Sequence, residues 1–333
     1  MSDKSQIQPA LSERRKFTEV IMSVAMLLSL LVYGGLLSQW LWPGDLLCHF
    51  RIQYIIALAP FLIFALAAHR FKNAAIIFSA FMVNAVVVAP LFCNKSVPPL
   101  STRQNHELTV IQLNLNGANN QFEAVRSCIE KNEADVVCLQ EVTAEWQKYL
   151  HDNLKNYPHQ FVLSRPDPFG VAILSRSPLT ETTVQSFGQS SLYPTLTANL
   201  TVGEETVTVI CTHPYPPISP AGYNQRNRQL EQIASFTANL KNTILLCGDL
   251  NATRWSASMS QLLDQGNLLD TSNGFGVQPT WPANCFVLWI PIDQIIVSKN
   301  VATLERKILP DVGSDHYPVL ARLVFPQKAK PVL

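Results

Sequence analysis

Residues 243–254 read TILLCGDLNATR, and the fold turns on this stretch. Ile244, Leu245, Leu246 and Cys247 make a short apolar run that suits a buried strand, and Gly248 ends it. On an extended backbone Asp249 and Asn251 point to one side, while Leu250 turns back into the core. A carboxylate and a carboxamide displayed together at a strand end can orient a water and hold an anionic oxygen. An Asx-rich turn after a strand accounts for the same four residues, so neighbouring segments must decide.

Outward from this stretch, strands and helices alternate. Strands are expected at 108–115 (LTVIQLNL), 134–139 (ADVVCL), 159–163, 171–175, 195–202 and 205–211, then at 292–297, 302–308 and 319–324. Helical spacing is present at 121–133, 143–154, 222–240 and 256–265. Two halves of similar content favour an α/β fold of two packed sheets with helices outside.

The front of the chain is different. Residues 20–44 carry no charge until the run closes, and 52–68 and 74–93 are likewise uncharged. A bilayer core needs about 20 mainly apolar residues in a helix, so three transmembrane helices are expected across 20–93. A cleaved signal peptide explains the first run but not three in succession. Lys4, Arg14, Arg15 and Lys16 precede the first run, Arg51 alone lies in the first loop, and Arg70 and Lys72 lie in the second. The positive-inside bias makes 1–19 a cytoplasmic segment and puts the body on the far side, periplasmic or extracellular, as in a bacterial inner-membrane protein. Trp40 and Trp42 sit where interfacial anchors belong. Residues 94–105 (NKSVPPLSTRQN) read as a linker, 106–326 as the catalytic domain and 327–333 as a tail.

Charge follows the same division. Of 25 basic and 24 acidic residues, nine basic and four acidic ones lie up to Arg103, which leaves 16 basic against 20 acidic in the body. Without a basic excess the body is poorly suited to tight, non-specific binding of a long polyanion. The seven cysteines (48, 93, 128, 138, 211, 247 and 285) form no C-x-x-C pair, which argues against a zinc ribbon or a thioredoxin-type motif. Most of them read as inert core thiols.

Further polar residues fall at strand ends: Asn114, Glu141, His213 before a Pro-Tyr-Pro-Pro segment, and Asp315 with His316 in GSDHYPV. Asp293 interrupts an apolar strand, where an unpaired carboxylate is expensive. Oxygen-rich clusters without cysteine select Mg²⁺ or Mn²⁺ over zinc, and such an ion polarises a phosphoryl oxygen.

The motifs NLN (114–116), CLQEV (138–142), GVAILSRSP (170–178), THPYPP (212–217), GDLNAT (248–253), PTWP (279–282), PIDQIIVS (291–298) and GSDHYPV (313–319) are all present in this order. Across about 106–325 they resemble the endonuclease/exonuclease/phosphatase superfamily with its deoxyribonuclease I-like fold, and within it the bacterial membrane-tethered members. The resemblance implies a four-layer α/β/β/α sandwich and Mg²⁺-dependent phosphoester hydrolysis. It makes Glu141 the principal metal ligand with Asn114 beside it and Asp315 on the metal side. Asp249 would orient or deprotonate the attacking water, Asn251 would hold the phosphate, and His316 paired with Asp293 would stabilise the pentavalent phosphorus. His213 stands where deoxyribonuclease I-like and sphingomyelinase-like branches keep a histidine. Gln294 departs from a frequent His, and Arg254 from a frequent Pro. Arg226 or Arg228 could meet a substrate phosphate.

The expected activity is that of a membrane-anchored, metal-dependent phosphodiesterase or phosphatase. A nucleic acid is the first candidate substrate and a phospholipid headgroup or other membrane-proximal phosphoester the second. A non-catalytic membrane scaffold is the reading from another class. No protein partner is expected.

Overall fold

The apolar run at 244–247 forms the middle of strand β8 (Thr243–Asp249), every residue of which is buried. The computed structural model describes residues 4–93, 106–188 and 191–325, so the expected linker at 94–105 and tail at 327–333 lie outside the described residues. The chain divides into two compact units, Met1–Ala89 and Pro90–Leu333.

The first unit is helical. Its elements are α1 (Lys4–Gly34), a 3-10 turn (Gly35–Leu37), α2 (Trp42–Cys48), α3 (Arg51–Ala67) and α4 (Phe71–Val88). The first apolar run does not continue as one helix to residue 44, because α1 stops at the Gly34-Gly35 pair. There the backbones pack closely: a Cβ on Gly44 would lie 2.8 Å from the Gly34 carbonyl oxygen. Ser12–Leu37 and Phe71–Val88 are each long and apolar enough to cross a membrane, and α2 with α3, bent by 70° at their break, make a third crossing if counted as one span. Inside this unit Arg51 donates to Asn84 Oδ1 at 3.0 Å, so the one basic residue of the first loop has a polar partner.

The second unit begins with α5 (Pro90–Cys93) and continues through β1 (His106–Asn114), α6 (Phe122–Lys131), β2 (Val136–Gln140), α7 (Ala144–Asn153), β3 (His159–Leu163) and β4 (Val171–Ser175). β5 (Leu179–Gln185), β6 (Thr195–Val202), β7 (Glu205–Thr212) and α8 (Pro220–Asn239) lead to β8. After it come α9 (Ala257–Gln265), β9 (Leu268–Asp270), β10 (Asp293–Ser298), β11 (Ala302–Ile308) and β12 (Val319–Phe325). The strands form two six-stranded sheets, β11-β12-β1-β2-β4-β3 and β5-β6-β7-β8-β10-β9.

Three cores hold the layers together. Val110, Cys138, Leu245 and Ile295 belong to the core between the sheets. Ile111, Val137, Val125 and Trp146 pack the first sheet against α6 and α7, and Ile244, Leu246, Ile233 and Met259 pack the second against α8 and α9. Alternate residues of one strand therefore serve opposite faces, as the strand period requires. The result is the four-layer α/β/β/α sandwich. Cys138, Cys211 and Cys247 are fully buried among these side chains. Cys211 pulls the Cys138 thiol down, but contact with Cys247 and burial outweigh it and hold the thiol well above its ordinary range, consistent with inert core sulfur.

Candidate active site

Strand register brings the polar residues together. β1 and β2 run parallel with Asn114 opposite Gln140, so Glu141 follows directly beside Asn114. β7 and β8 run parallel with Thr212 opposite Gly248, which sets His213 alongside Asp249. β8 and β10 run antiparallel, and Asp249 and Asp293 are direct cross-strand partners. Gly248 is required where it stands, because a Cβ there would meet the Thr212 carbonyl oxygen at 2.1 Å.

Asn114 is the link between the two sheets. Its fully buried carboxamide Nδ2 donates to Glu141 Oε1 and to Asp249 Oδ2, both at 3.1 Å. The second Glu141 oxygen accepts from the Gly117 N–H at 3.0 Å. Asn116 Nδ2 reaches Asp315 Oδ1 at 2.9 Å, and Trp281 Nε1 donates to Asp315 Oδ2 at 3.1 Å. The carboxylates of Glu141, Asp249 and Asp315 are thus joined through asparagines into one constellation.

Around Asp249 stand two imidazoles. His213 Nε2 lies 3.4 Å from Asp249 Oδ2, and its Nδ1 donates to the Pro168 carbonyl at 2.9 Å. Since that carbonyl can only accept, His213 Nδ1 carries the proton. His316 Nδ1 is 2.8 Å from Asp293 Oδ2, and its Nε2 is 3.7 Å from Asp249 Oδ2. Gln112 Nε2 binds the other Asp293 oxygen at 2.8 Å, and Thr280 Oγ1 accepts from the Asp293 N–H at 3.2 Å. Asp293 is therefore fully buried yet paired, which resolves the cost its place in an apolar strand implies.

Burial alone would push the Asp249 carboxyl up, but His316 and His213 outweigh it and hold the group at about 2. Burial would likewise lower His316, yet Asp293 and Asp249 raise it to about 10. His213 is raised despite its burial, through Asp249 and Glu141. At neutral pH the arrangement is an anionic Asp249 beside the His316 imidazolium, with the His213 ring on its other side. Such an Asp249 is a strong hydrogen-bond acceptor for water and a weak base, so orientation rather than deprotonation is the role its surroundings support.

Three site residues adopt left-handed backbone: Asn116 (φ 55°), Glu141 (φ 57°) and Asn251 (φ 50°). For a glutamate this conformation is strained and persists only where the surrounding contacts hold it. The Asn251 value also corrects the expected alternation, because β8 ends at Asp249 and Asn251 lies in a turn. Its N–H bonds Asp249 Oδ1 at 2.9 Å and its Nδ2 bonds the Pro214 carbonyl at 3.0 Å. The Asx turn and the polar site are one structure here, and Leu250 is buried in the outer core as its position implies.

Arg226 and Arg228 separate. Arg226 is fully buried on α8 and donates from Nη1 to the Asn251 carbonyl at 2.7 Å, so it braces the turn. Arg228 is exposed on the same helix. The two departures from the motif pattern serve the scaffold: Gln294 Nε2 donates to the Pro291 carbonyl at 2.9 Å, and Arg254 Nη1 approaches Asp270 Oδ2 at 3.6 Å.

Asp249, Asp293 and His316 could hold a metal ion by mutual distance alone, since one ligand atom from each lies within 4.8 Å of the others. We assign them differently, because the close His316–Asp293 hydrogen bond occupies the pair. The carboxylate oxygens of Glu141 each accept one hydrogen bond and keep further lone pairs. Asp315 joins the same network through Asn116, whose N–H donates to Asn114 Oδ1 at 3.0 Å, and this oxygen donor set fits a hard divalent cation.

Gln112, Asn116, Thr280, Trp281 and Ser314 have no role in the sequence reading. Gln112 had a usable signal, being a polar residue at an inward position of an apolar strand. Ser314 Oγ bonds the Asn114 carbonyl at 2.7 Å and accepts from the His316 N–H at 3.0 Å, which ties two distant motifs.

A four-layer sandwich with acid, asparagine and histidine side chains converging at its strand ends defines a phosphoesterase-type fold and site. The model of the Endonuclease/Exonuclease/phosphatase family matches residues 111–316, and the chain belongs to that family. No curated protein matches the chain. Among solved structures, humanized D. rerio TDP2 aligns with a TM-score of 0.57 at 18% identity, over 65% of this chain and 98% of that one. D. rerio TDP2 complexed with single strand DNA product gives 0.56 at 18%, over 65% and 98%. An endonuclease/exonuclease/phosphatase family protein from Bacteroides thetaiotaomicron gives 0.56 at 18%, over 68% and 100%. At these identities the likeness establishes the fold. Enzymes of this family hydrolyse phosphoester bonds and generally depend on a divalent metal.

Proposed function

We propose that the chain is a membrane-anchored, Mg²⁺- or Mn²⁺-dependent phosphoester hydrolase whose active site lies outside the cytoplasm. The observation that carries this reading is the Asn114 carboxamide bridging Glu141 and Asp249 across the two sheets, with His213 and His316 flanking Asp249. Glu141, with Asn114 and Asp315 at its side, would hold the ion. When bound, the ion supplies positive charge to a phosphoryl oxygen and to the leaving oxygen.

The protein's own groups do the rest. Asp249 accepts a hydrogen bond from water and aims its oxygen at phosphorus, opposite the leaving group. His316 Nε2–H, with Nδ1 anchored on Asp293, donates to the equatorial oxygens as negative charge builds there. Asn251, braced by Arg226, and His213 border the same space. A bond forms from the water oxygen to phosphorus, and the P–O bond to the alcohol breaks. The alcohol oxygen takes up one proton, and the water proton lost in attack passes to solvent.

EDTA should abolish hydrolysis of a soluble phosphodiester, and Mg²⁺ or Mn²⁺ should restore it. Turnover that survives exhaustive chelation would remove the metal from this reading. Placement outside the cytoplasm rests on three crossings with a cytoplasmic N-terminus, the positive-inside reading. A protease added outside intact cells should then clip the catalytic unit and spare it in inside-out vesicles; the opposite pattern reverses the topology.

A nuclease-type phosphodiesterase is the substrate reading that the sequence motifs suggest first, and D. rerio TDP2 carries a single strand DNA product. The second reading, a membrane-proximal phosphoester, draws on the apolar helices that would keep the catalytic unit close to lipid. The complete constellation of paired acids, asparagines and histidines argues against a non-catalytic scaffold.

A further inference from the structure

Most exposed apolar side chains on a folded unit are scattered and need no explanation. Among the described residues of the catalytic unit the longest exposed apolar run is Phe286, Val287, Leu288 and Trp289, which are consecutive and 75%, 58%, 45% and 36% exposed. A contiguous patch of this kind marks an interaction surface.

The segment that carries them is stitched to the active site at its base. Trp281 and Ile290 exchange backbone hydrogen bonds of 3.1 and 2.7 Å, and the Ala283 N–H donates to the Asp315 carbonyl at 2.7 Å. Tyr317 Oη bonds the Ala283 carbonyl at 3.0 Å, and the Trp289 ring packs edge-on against Tyr317 with centroids 6.2 Å apart. Since Trp281 also holds the Asp315 carboxylate, the apolar tip rises directly from the rim of the site.

The rim on the His213 side is apolar as well. Phe169 packs on His213 with ring centroids 5.5 Å apart, and Tyr193 and Tyr215 pack on Phe169 at 4.5 and 5.8 Å. The segments bearing those tyrosines also carry Leu192 and Ile218, 56% and 70% exposed. Three arginines on segments around the site are engaged within the protein: Arg226 on the Asn251 carbonyl, Arg254 at Asp270 and Arg165 on Asp167. A rim of this chemistry suits hydrocarbon and a buried ring edge far better than a polyanion. Apolar helices that could cross a bilayer are covalently continuous with this unit, so a lipid surface is the partner of matching chemistry that remains available to it.

We propose that the apolar collar of Phe286–Trp289, Leu192 and Ile218 seats the active-site mouth on the lipid bilayer, and that the substrate is an amphiphile whose headgroup phosphate enters from that surface. The assignment of substrate class rests on the hydrolase reading above, whereas lipid contact does not.

Two measurements on the full chain, reconstituted in phosphatidylethanolamine–phosphatidylglycerol vesicles, separate these parts. First, a fluorescent amino acid is placed at position 287 or, as control, at the exposed Val184 of edge strand β5. Nitroxide-labelled lipid should quench position 287 about threefold more strongly. Equal quenching would overturn the collar. Second, the ratio of kcat/KM on vesicle phosphatidylglycerol to that on a soluble phosphodiester should fall about tenfold in Phe286→Ser/Leu288→Ser. An unchanged ratio, or a wild-type protein that cuts single-stranded DNA and the soluble ester but not the lipid, would overturn the substrate class. Preferential quenching at 287 with no hydrolysis of any ester would instead defeat the hydrolase reading and leave the lipid contact standing.

Discussion

Replacing Glu141 with alanine is expected to lower Mg²⁺-dependent hydrolysis by about a thousandfold, the scale of losing a principal charge-stabilising group. The fold should survive. Glu141 is partly exposed, so water can satisfy the Gly117 N–H that it leaves, and Asn114 keeps its bond to Asp249. The left-handed backbone at 141 is strained for alanine too, so Glu141→Gln is the cleaner companion variant. Glutamine retains side-chain shape and one acceptor oxygen but removes the charge. If charge on this side of the site holds the ion, both variants should lose activity alike and both should unfold near the wild-type temperature. A glutamine variant with near-normal turnover would mean that Glu141 matters only as a brace for Asn114, and the metal would have to sit elsewhere.

The acids, asparagines and histidines at strand ends are legible along the chain, whereas their meeting and the roles of supporting residues such as Gln112 and Ser314 are not. Asp249, Asn114, Glu141 and His213 stand at ends of apolar runs, where a period-2 pattern gives way to a turn, and that transition is visible locally. The bond from Gln112 to Asp293 joins residues 181 positions apart. Only the pairing of β1 with β2, of β8 with β10 and of one sheet face with the other creates it. Strand β5, LTETTVQ, carries no alternating signal for a physical reason: its five central residues are exposed, so it has no buried face to impose alternation. Strand β9 has three residues and takes its register from β10. At the front, hydropathy located the apolar stretches but not the break at Gly34, which arises from close backbone packing against Gly44. Hydropathy measures transfer from water and is blind to such contacts.

Asp293→Asn is expected to lower activity about a hundredfold near pH 8 and to move the alkaline limb of the pH profile downward, as for loss of a general-acid or charge-stabilising partner. In the wild type, burial pushes His316 toward its neutral form, and Asp293 is the largest influence opposing it, followed by Asp249. The imidazolium is present below a value of about 10, so activity that needs it should decline only as pH rises through that region. Asparagine keeps an oxygen for Gln112 and preserves the packing, but it offers His316 no negative charge. Burial then weighs more heavily, the imidazolium is lost at lower pH, and the limb must shift left. At acid pH, where His316 stays protonated even without Asp293, the variant should recover much of its activity. A purely structural role for Asp293 makes a different forecast: a uniform loss at every pH with the limb unmoved. The shape of the profile therefore separates a residue that sets the charge of His316 from one that merely fills its place in β10.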